Sequence, residues 1–428
     1  MRSSDGRANV RFGLVGRRLS HSWSPAIHAA LGSAPYELVE LEPPELEGFL
    51  RRGAWEGLNV TIPYKRAAFE LSDVQSASAR RLGVANTLTK DGQGRIIADN
   101  TDLAGFSWML ERFCRERLGR PAERVLGSGK ACVLGSGGAS QAVRAALEDA
   151  GAEVVVISRG GPCGYESLSG GNSDSVLIVN ATPVGMYPDC PQSPLTKSQL
   201  QSMPLLSGVL DVVYNPTRTG MCLDAEELGI PSMSGLPMLV AQAALSSSQF
   251  LGSEFREEEV VGLCERLLSQ SLNIILIGMP GAGKTSTGRS LARQLMRPFV
   301  DLDDAISLEA GMPAARYLES VGEDGFRRLE SKVALRYGSQ SNLIIACGGG
   351  VVVREENYRP LRQNGRIVLL ERPLDRLSLK GRPLSRSRGV EALARERMPL
   401  YERWSDLRVH CTGSPAGDAR KIRELLGL

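Results

Sequence analysis

The chain reads as an α/β protein built on parallel sheets, with a Rossmann-type dinucleotide half followed by a P-loop domain. Three observations predict this. Gly278-Met279-Pro280-Gly281-Ala282-Gly283-Lys284-Thr285 follows the apolar run 274–277 and precedes a helix-like stretch, 286–295. That is the order strand, glycine loop, helix, in the pattern G-x-x-x-x-G-K-[ST]. Gly135-Ser136-Gly137-Gly138-Ala139-Ser140 sits the same way between a strand-like run, 131–134, and a helix-like one, 141–150. Finally, 428 residues are enough for two or three domains.

Composition excludes several classes. Hydrophobic content of 42% and charged content of 23% are those of an ordinary globular protein. A net charge of +3 gives no reason to expect a nucleic acid or an anionic membrane as partner. The eight cysteines (114, 132, 163, 190, 222, 264, 347 and 411) are scattered, with no C-x-x-C pair, which argues against structural zinc. They fit reduced thiols in a cytoplasmic protein. The first ten residues hold no apolar leader segment, and no apolar run approaches the roughly 18 residues of a membrane span.

From the N-terminus, 11–15 reads as a short strand, then a loop through Ser22-Trp23-Ser24-Pro25, then a helix over 26–31. Ser22 and Ser24 lie two apart, so in an extended loop both hydroxyls face one way and suit a polyol or carboxylate. The plainer reading is Ser24 as helix N-cap, with Pro25 in the first turn. Asn59-Val60-Thr61-Ile62-Pro63-Tyr64-Lys65 then ends a β-rich run at a proline, with Lys65 at the start of the next helix. The helix dipole disfavours a cation there, and partial desolvation would depress its pKa, which suits an acid/base. A solvated surface lysine is the alternative. Asn86 follows in Ala85-Asn86-Thr87-Leu88, and Asp102 closes Asp99-Asn100-Thr101-Asp102. Asp102 would hold and tune Lys65, or these are ordinary turn residues.

These motifs, S-x-S-P, N-V-T-I-P-Y-K, A-N-T-L and D-N-T-D in that order, resemble shikimate dehydrogenase. The resemblance implies substrate contacts at Ser22, Ser24, Asn59, Thr61, Lys65, Asn86 and Asp102. It makes Lys65 and Asp102 the catalytic pair.

In the dinucleotide half, Gly135, Gly137, Gly138 and Ala139 form G-x-G-x-x-[small], with Ser140 where the fingerprint has Gly or Ala. The second strand, 153–157, ends at Ser158-Arg159. An arginine in place of the usual acid suits a 2′-phosphate, so NADPH is expected over NADH; otherwise Arg159 is a solvated loop residue. Residues 160–175 are rich in Gly and Ser. Where the resembled family has a longer helical excursion and another strand, this chain has a loop. That change falls on the adenine side and leaves the nicotinamide side intact. By resemblance, Asn180 and Thr182 belong to a strand end approaching the nicotinamide ribose, and Tyr214 is a substrate-side hydroxyl. Gly235 opens a returning helix on which Gln242 donates an amide to the substrate; without the resemblance Gln242 would be an exposed helix residue. The match runs over about residues 10 to 270.

The expected boundaries are a substrate-binding domain over 1–105, completed by returning helices at 236–270, and a Rossmann domain over 106–235. A P-loop domain over 272–428 follows. An amphipathic helix at 254–268 ends the first enzyme, and Ser269-Gln270-Ser271 is the candidate linker.

In the last third, Asp301 and Asp303 close a strand two residues apart, which predicts both carboxylates on one side of its end. Arg327 and Arg328, the run Gly348-Gly349-Gly350, a basic lid-like segment 379–384, and Arg397 follow. Together with the P-loop this resembles shikimate kinase over 272–428. The resemblance implies ATP contacts at Gly278, Gly281, Gly283, Lys284, Thr285 and Ser286, with Arg376 on adenine and the lid's Arg382 over the phosphates. It implies Mg²⁺ at Thr285 and, through water, Asp301. Shikimate contacts fall to Asp303, Arg327, Gly349, Gly350 and Arg397, with Asp303 orienting the 3-hydroxyl. Lys284, Asp303 and Arg382 would be the catalytic groups.

Both resemblances together imply two steps of the shikimate pathway toward chorismate and aromatic amino acids. One is NADPH-dependent reduction of 3-dehydroshikimate; the other is MgATP-dependent phosphorylation of shikimate. A quinate-preferring dehydrogenase joined to the kinase is an alternative. A non-catalytic metabolite sensor is another, opposed by the intact Lys65, Asp102 and Lys284.

Overall fold

The computed structural model describes residues 10–19, 22–127, 129–377 and 389–428. The chain divides into two compact units. The first comprises the residues up to Val184, with Ser193–Tyr214 and Asp224–Arg266; the second comprises Gly185–Gln192, Asn215–Leu223 and Leu267–Leu428.

The first unit holds two sheets. One contains β1 (Phe12–Gly16), β2 (Tyr36–Glu40), β3 (Gly57–Val60), β4 (Val74–Gln75), β5 (Thr87–Lys90) and β6 (Ile96–Asp99), in the order β2-β1-β3-β5-β6-β4. The β2-β1-β3 pairings are parallel, and β3-β5-β6 are antiparallel. β1 and β3 are buried along their whole length, as expected of strands covered on both faces. Leu50, Trp55, Leu58, Leu88 and Ile96 build the core on this sheet.

The second sheet contains β7 (Lys130–Leu134), β8 (Glu153–Ile157), β9 (Leu177–Asn180), β10 (Gly208–Asp211) and β11 (Ser232–Met233). Its order is β11-β10-β9-β7-β8, all parallel. Between β8 and β9 the described chain makes only a short 3₁₀ turn, Tyr165–Ser169, and a bridge between Ile157 and Cys163. Apart from that bridge, the Gly/Ser-rich stretch adds no strand to the sheet.

Two long helices position the first site. Helix Thr101–Leu118 starts at Asn100, whose Oδ1 accepts from the backbone N–H groups of Asp102 and Leu103. Helix Leu236–Leu251 lies against it at Gly105. A Cβ at Gly105 would fall 2.9 Å from Gln242 Cβ and 3.0 Å from its backbone N, so glycine allows this close crossing.

The second unit has one parallel sheet. Its strands are β12 (Asn273–Ile277), β13 (Phe299–Asp301), β14 (Ile344–Ala346), β15 (Gly365–Glu371) and β16 (Leu407–His410), in the order β13-β14-β12-β15-β16. The segment Asn215–Leu223, a loop running into the helix Gly220–Glu227, is tied to the start of β15. Arg218 Nη1 donates to the carbonyls of Arg362 and Gly365 at 2.9 Å each, and Thr217 N–H donates to Asn364 Oδ1 at 2.8 Å. The contact units therefore depart from the domains expected from sequence in two ways. Residues 185–192 and 215–223 group with the second unit, which also begins at Leu267 rather than 272.

The expected linker is helix. Residues 269–271 are the last turn of helix Glu257–Ser271, and only Leu272 precedes β12. The cause is a cation at the helix C-terminus: Arg297 donates to the carbonyls of Ser269 and Leu272, both at 2.9 Å. Among the described residues no helix is long and apolar enough to cross a membrane.

Candidate active sites

In the first unit, Lys65 opens helix Lys65–Glu70, and its Nζ donates to Asp102 Oδ2 at 2.6 Å. Asp102 Oδ1 accepts from Asn86 Nδ2 at 2.9 Å, so each carboxylate oxygen has its own donor. Asn86 is fixed in turn, because its Oδ1 accepts from Thr101 N–H at 2.8 Å. Gln242 Oε1 completes the group, 3.4 Å from both Asn86 Nδ2 and Thr101 Oγ1. The structure thus gathers Lys65, Asn86, Asp102 and Gln242 from four elements.

Ser22 and Ser24 are also brought together, their hydroxyls 3.1 Å apart. Ser24 does not cap its helix: Trp23 holds the N-cap position, and it is Ser22 Oγ that accepts from the first helical N–H, that of Ser24, at 3.2 Å. The Trp23 ring meets Tyr214 edge-on, with centroids 5.3 Å apart. That contact holds the serine loop beside Tyr214, whose phenol burial pushes up in pKa. Thr61 is partly buried beside Gly16, where an added Cβ would come within 2.7 Å of its methyl.

Asn59 sits differently from the implied substrate contact. It is buried, and its amide is engaged by protein. Oδ1 accepts from the Tyr36 hydroxyl at 2.8 Å, and Nδ2 donates to Asn86 O and Thr87 Oγ1, both at 3.3 Å. It braces Asn86 from behind.

At the cofactor loop, a Cβ on Gly137 or Gly138 would face open space, directly at the start of helix Gly138–Asp149. Open backbone at a helix N-terminus fits a pyrophosphate. Ala139 follows in the first turn. Gly135 has φ +101°, and a Cβ there would fall 2.7 Å from Thr182 Cγ2. At Gly235 a Cβ would fall 2.1 Å from Val212 O. Arg159 is exposed just past the end of β8, the position that suits a 2′-phosphate. Asn180 is fully buried; its Oδ1 accepts from Thr182 N–H (3.0 Å) and Oγ1–H (2.6 Å), and its Nδ2 donates to Asp211. Its side chain shapes the turn, leaving Thr182 as the more open residue.

In the second unit a cavity of about 570 Å³ joins the P-loop to Asp303, Arg327, Glu330 and Arg397. Lys284 Nζ donates to the carbonyls of Gly278 (2.7 Å) and Met279 (3.1 Å). Thr285 Oγ1 donates to Asp301 Oδ2 at 2.6 Å, which pairs the two oxygens expected near Mg²⁺. The acids meet by a route other than the strand period. β13 ends at Asp301, which becomes the N-cap of helix Leu302–Ala310 and accepts from Asp303 N–H at 3.0 Å. A strand-to-helix turn therefore sets their spacing. Desolvation by the cavity wall, reinforced by the Asp301 carboxylate, pushes the Asp303 carboxyl above its ordinary value although the residue reaches solvent.

Arg327 Nη1 donates to the buried Glu330 at 2.7 Å, and Arg397 Nη1 donates to Gly349 O at 3.0 Å. Arg327 Nε, Arg397 Nε and Arg397 Nη2 are buried with no protein acceptor. Buried donors of this kind call for an acceptor, and a carboxylate matches the guanidinium plane. A Cβ at Gly350 would fall 2.1 Å from Arg327 Nη2, so a larger residue there would displace the guanidinium. Gly349 packs on Pro280 in the same way, at 2.6 Å.

Two arginines remain. Arg382, with the lid around it, lies outside the described residues. Arg376 is exposed at the end of a 3₁₀ turn, Leu374–Arg376, outside the lining of the cavity. Arg372 lines it instead. Sequence reasoning passed over Arg372, Glu330 and Trp23. Glu330 was detectable, being one helical turn from Arg327 and on the same face.

One unit is built to handle a proton beside a dinucleotide loop, the other to handle phosphate beside an anion pocket; the class is a two-site enzyme. Residues 14–88 match the family described as "Shikimate dehydrogenase substrate binding domain", and 280–426 match "Shikimate kinase". The shikimate dehydrogenase (NADP(+)) of Methanopyrus kandleri is 36% identical over 282 residues, 59% of this chain and 93% of its own. A chorismate mutase/shikimate 5-dehydrogenase fusion from Clostridium acetobutylicum aligns with TM-score 0.54 and 33% identity, over 61% of this chain and 97% of that one. Shikimate 5-dehydrogenase from Thermus thermophilus, solved with NADP(H) and shikimate, aligns with TM-score 0.51 and 33% identity, over 60% and 99%. The chain belongs to the shikimate dehydrogenase family and carries a shikimate kinase domain behind it.

Proposed function

We propose that this chain is a bifunctional enzyme that reduces 3-dehydroshikimate to shikimate with NADPH and then phosphorylates shikimate on its 3-hydroxyl with MgATP. The observation that carries the reading is the coexistence of two separate constellations. The Lys65–Asp102–Asn86 group stands in one unit, and the P-loop facing unpaired Arg327 and Arg397 donors stands in the other.

At the first site NADPH, when bound, supplies the hydride. Lys65 gives the proton to the alcohol oxygen as it forms, and Asp102 holds the ammonium in place through one oxygen. Asn86, locked by Thr101 and backed by Asn59, holds the other oxygen, so the carboxylate cannot rotate away. Gln242, Thr61 and the Ser22–Ser24 pair bind the substrate's hydroxyls and carboxylate, with Tyr214 alongside. Asn180 and Gly235 act by shape, and Gly137, Gly138 and Arg159 bind the cofactor's phosphates.

At the second site Arg327 and Arg397 bind the shikimate carboxylate and Asp303 accepts the 3-hydroxyl. Ionised Asp303 orients that oxygen, and its raised pKa strengthens it as an acceptor. Thr285 and Asp301 would hold Mg²⁺, which neutralises phosphate charge when bound. Lys284 leaves its loop carbonyls for the phosphates. Phosphoryl transfer needs this positioning and charge more than a strong base.

The eight free cysteines, buried or half-buried, support a cytoplasmic location. The direct test is to supply shikimate with NADP⁺ alone and with MgATP alone. Reduction of NADP⁺ in the first and release of ADP in the second support the reading; failure of either removes that half.

A further inference from the structure

Arg372 has no role in the account so far, yet it lines the same cavity as Lys284 and Thr285. It lies just beyond β15, the strand beside the P-loop strand β12, where Ile277 pairs with Leu369. Its guanidinium therefore emerges at the C-terminal edge of the sheet, where open α/β sheets bind their ligands. A Cβ built on Gly283 would lie 3.6 Å from Arg372 Nη2 and 4.0 Å from Cζ, so the cation rests on the glycine that precedes Lys284. On the other side stands Cys411, just past β16. The Cys411 thiol donates to Ala282 O of the P-loop at 3.6 Å and lies close to the Arg372 side chain.

The cavity's charges divide across the P-loop. Asp303 follows β13 and Gly348–Gly350 follow β14, and Arg327 and Arg397 meet these residues on one flank. Arg372 follows β15 and sits on the other flank. The acceptor flank thus has its carboxylate-binding arginines, and the opposite flank has one cation lying against the phosphate loop. A planar guanidinium is matched to phosphate oxygens and is always charged.

We infer that Arg372 is a phosphate-binding residue of the kinase site, contacting the bound nucleotide's phosphates beside Lys284. This deepens the kinase half of the proposed function and rests on it. Whereas Lys284 approaches from inside the loop, Arg372 approaches from the β15 side and is pre-positioned by Cys411 and Gly283. Its contribution is to ground-state binding of nucleotide, separate from shikimate binding.

The test uses the full chain with R372Q, which keeps a polar hydrogen-bonding side chain but removes the charge and shortens the reach, and R372K, which keeps charge but not the fork. Kinase rates are measured against MgATP and against shikimate, and binding of ADP and of inorganic tripolyphosphate is measured by calorimetry. In R372Q the KM for MgATP should rise about tenfold, the worth of one charge-assisted contact. The KM for shikimate should stay within about twofold, and R372K should recover part of the loss. Tripolyphosphate and ADP should weaken by the same factor. An unchanged KM for MgATP in R372Q would overturn the inference. So would a loss seen with ADP but not with tripolyphosphate, which would move the contact to the base or ribose. Wild-type chain without kinase turnover would instead remove the proposed kinase function, and tripolyphosphate binding to wild type and R372Q would still decide whether Arg372 meets phosphate.

Discussion

Lys65 Nζ lies 2.6 Å from Asp102 Oδ2, and the two side chains retain only 18% and 10% of their exposure. A pair this shielded is held by more than surface attraction, and Asn86 fixes the carboxylate's second oxygen. Lys65→Ala should lower dehydrogenase kcat by about 10²–10⁴-fold, the range for loss of a general acid. Asp102→Asn should reduce kcat more than it raises KM, because the ammonium loses its holder rather than the substrate its pocket. Steady-state rates in both variants check this; a change confined to KM contradicts the acid assignment.

Asp303 carries a prediction for turnover. It lines the kinase cavity beside Asp301, the two acids being set at a strand-to-helix turn. Asp303→Asn should cut kinase kcat by about 10²-fold or more, the scale of a lost acid/base group, with the KM for MgATP little changed. Steady-state rates against both substrates check this; an unchanged kcat contradicts the assignment.

Much of both sites was legible in the chain, and what was not has physical causes. Lys65, Asn86, Asp102 and Gln242 are far apart in sequence, and the order of motifs, not spacing, pointed to their meeting. The resemblance made Asn59 a substrate contact; its bond from Tyr36 on another strand could not be foreseen, because strand pairing is not written locally. Period-2 reasoning gave the right neighbours for Asp301 and Asp303 but the wrong geometry, since a helix starts between them. The linker 269–271 looked irregular by composition, but a tertiary cap from Arg297 made it helical. Arg372 and Arg376 lie one helical turn apart, and only the end point of β15 decides which one faces the cavity.

Arg159 tests the cofactor edge. It is exposed past β8, where an acid would select NADH. Arg159→Glu should raise the KM for NADPH at least about tenfold more than that for NADH, since it removes a charge-assisted contact and adds a repulsive one. Initial rates with both cofactors measure the ratio; an unchanged ratio removes Arg159 from the site.

His28 predicts acid sensitivity in the first unit. The ring is 1% exposed, stacked on Tyr36 at 3.9 Å, with Nδ1 2.8 Å from Ser33 Oγ. Burial lowers its pKa from 6.5 to about 3. The unfolded chain takes up a proton below about pH 6.5 while the folded one does not, so this stability is whole above 6.5 and lost as pH falls toward 3. The loss is at most about 1.4 kcal/mol per pH unit, or roughly 2 kcal/mol between pH 6.5 and 5. His28→Gln should flatten that slope even if its baseline stability is lower. Denaturant titrations over this range check it, and parallel slopes for the two chains contradict it.

The central claim is that two independent sites on one chain act in sequence. The measurement is stoichiometry: NADPH oxidised against ADP released, with 3-dehydroshikimate, NADPH and MgATP supplied together to wild type, Lys65→Ala and Lys284→Ala. Wild type should release one ADP per NADPH. Lys284→Ala should oxidise NADPH without releasing ADP. Lys65→Ala should release none until shikimate is added, and then at the wild-type rate. ADP release from wild type without NADPH oxidation, or loss of kinase activity on added shikimate in Lys65→Ala, would contradict the account.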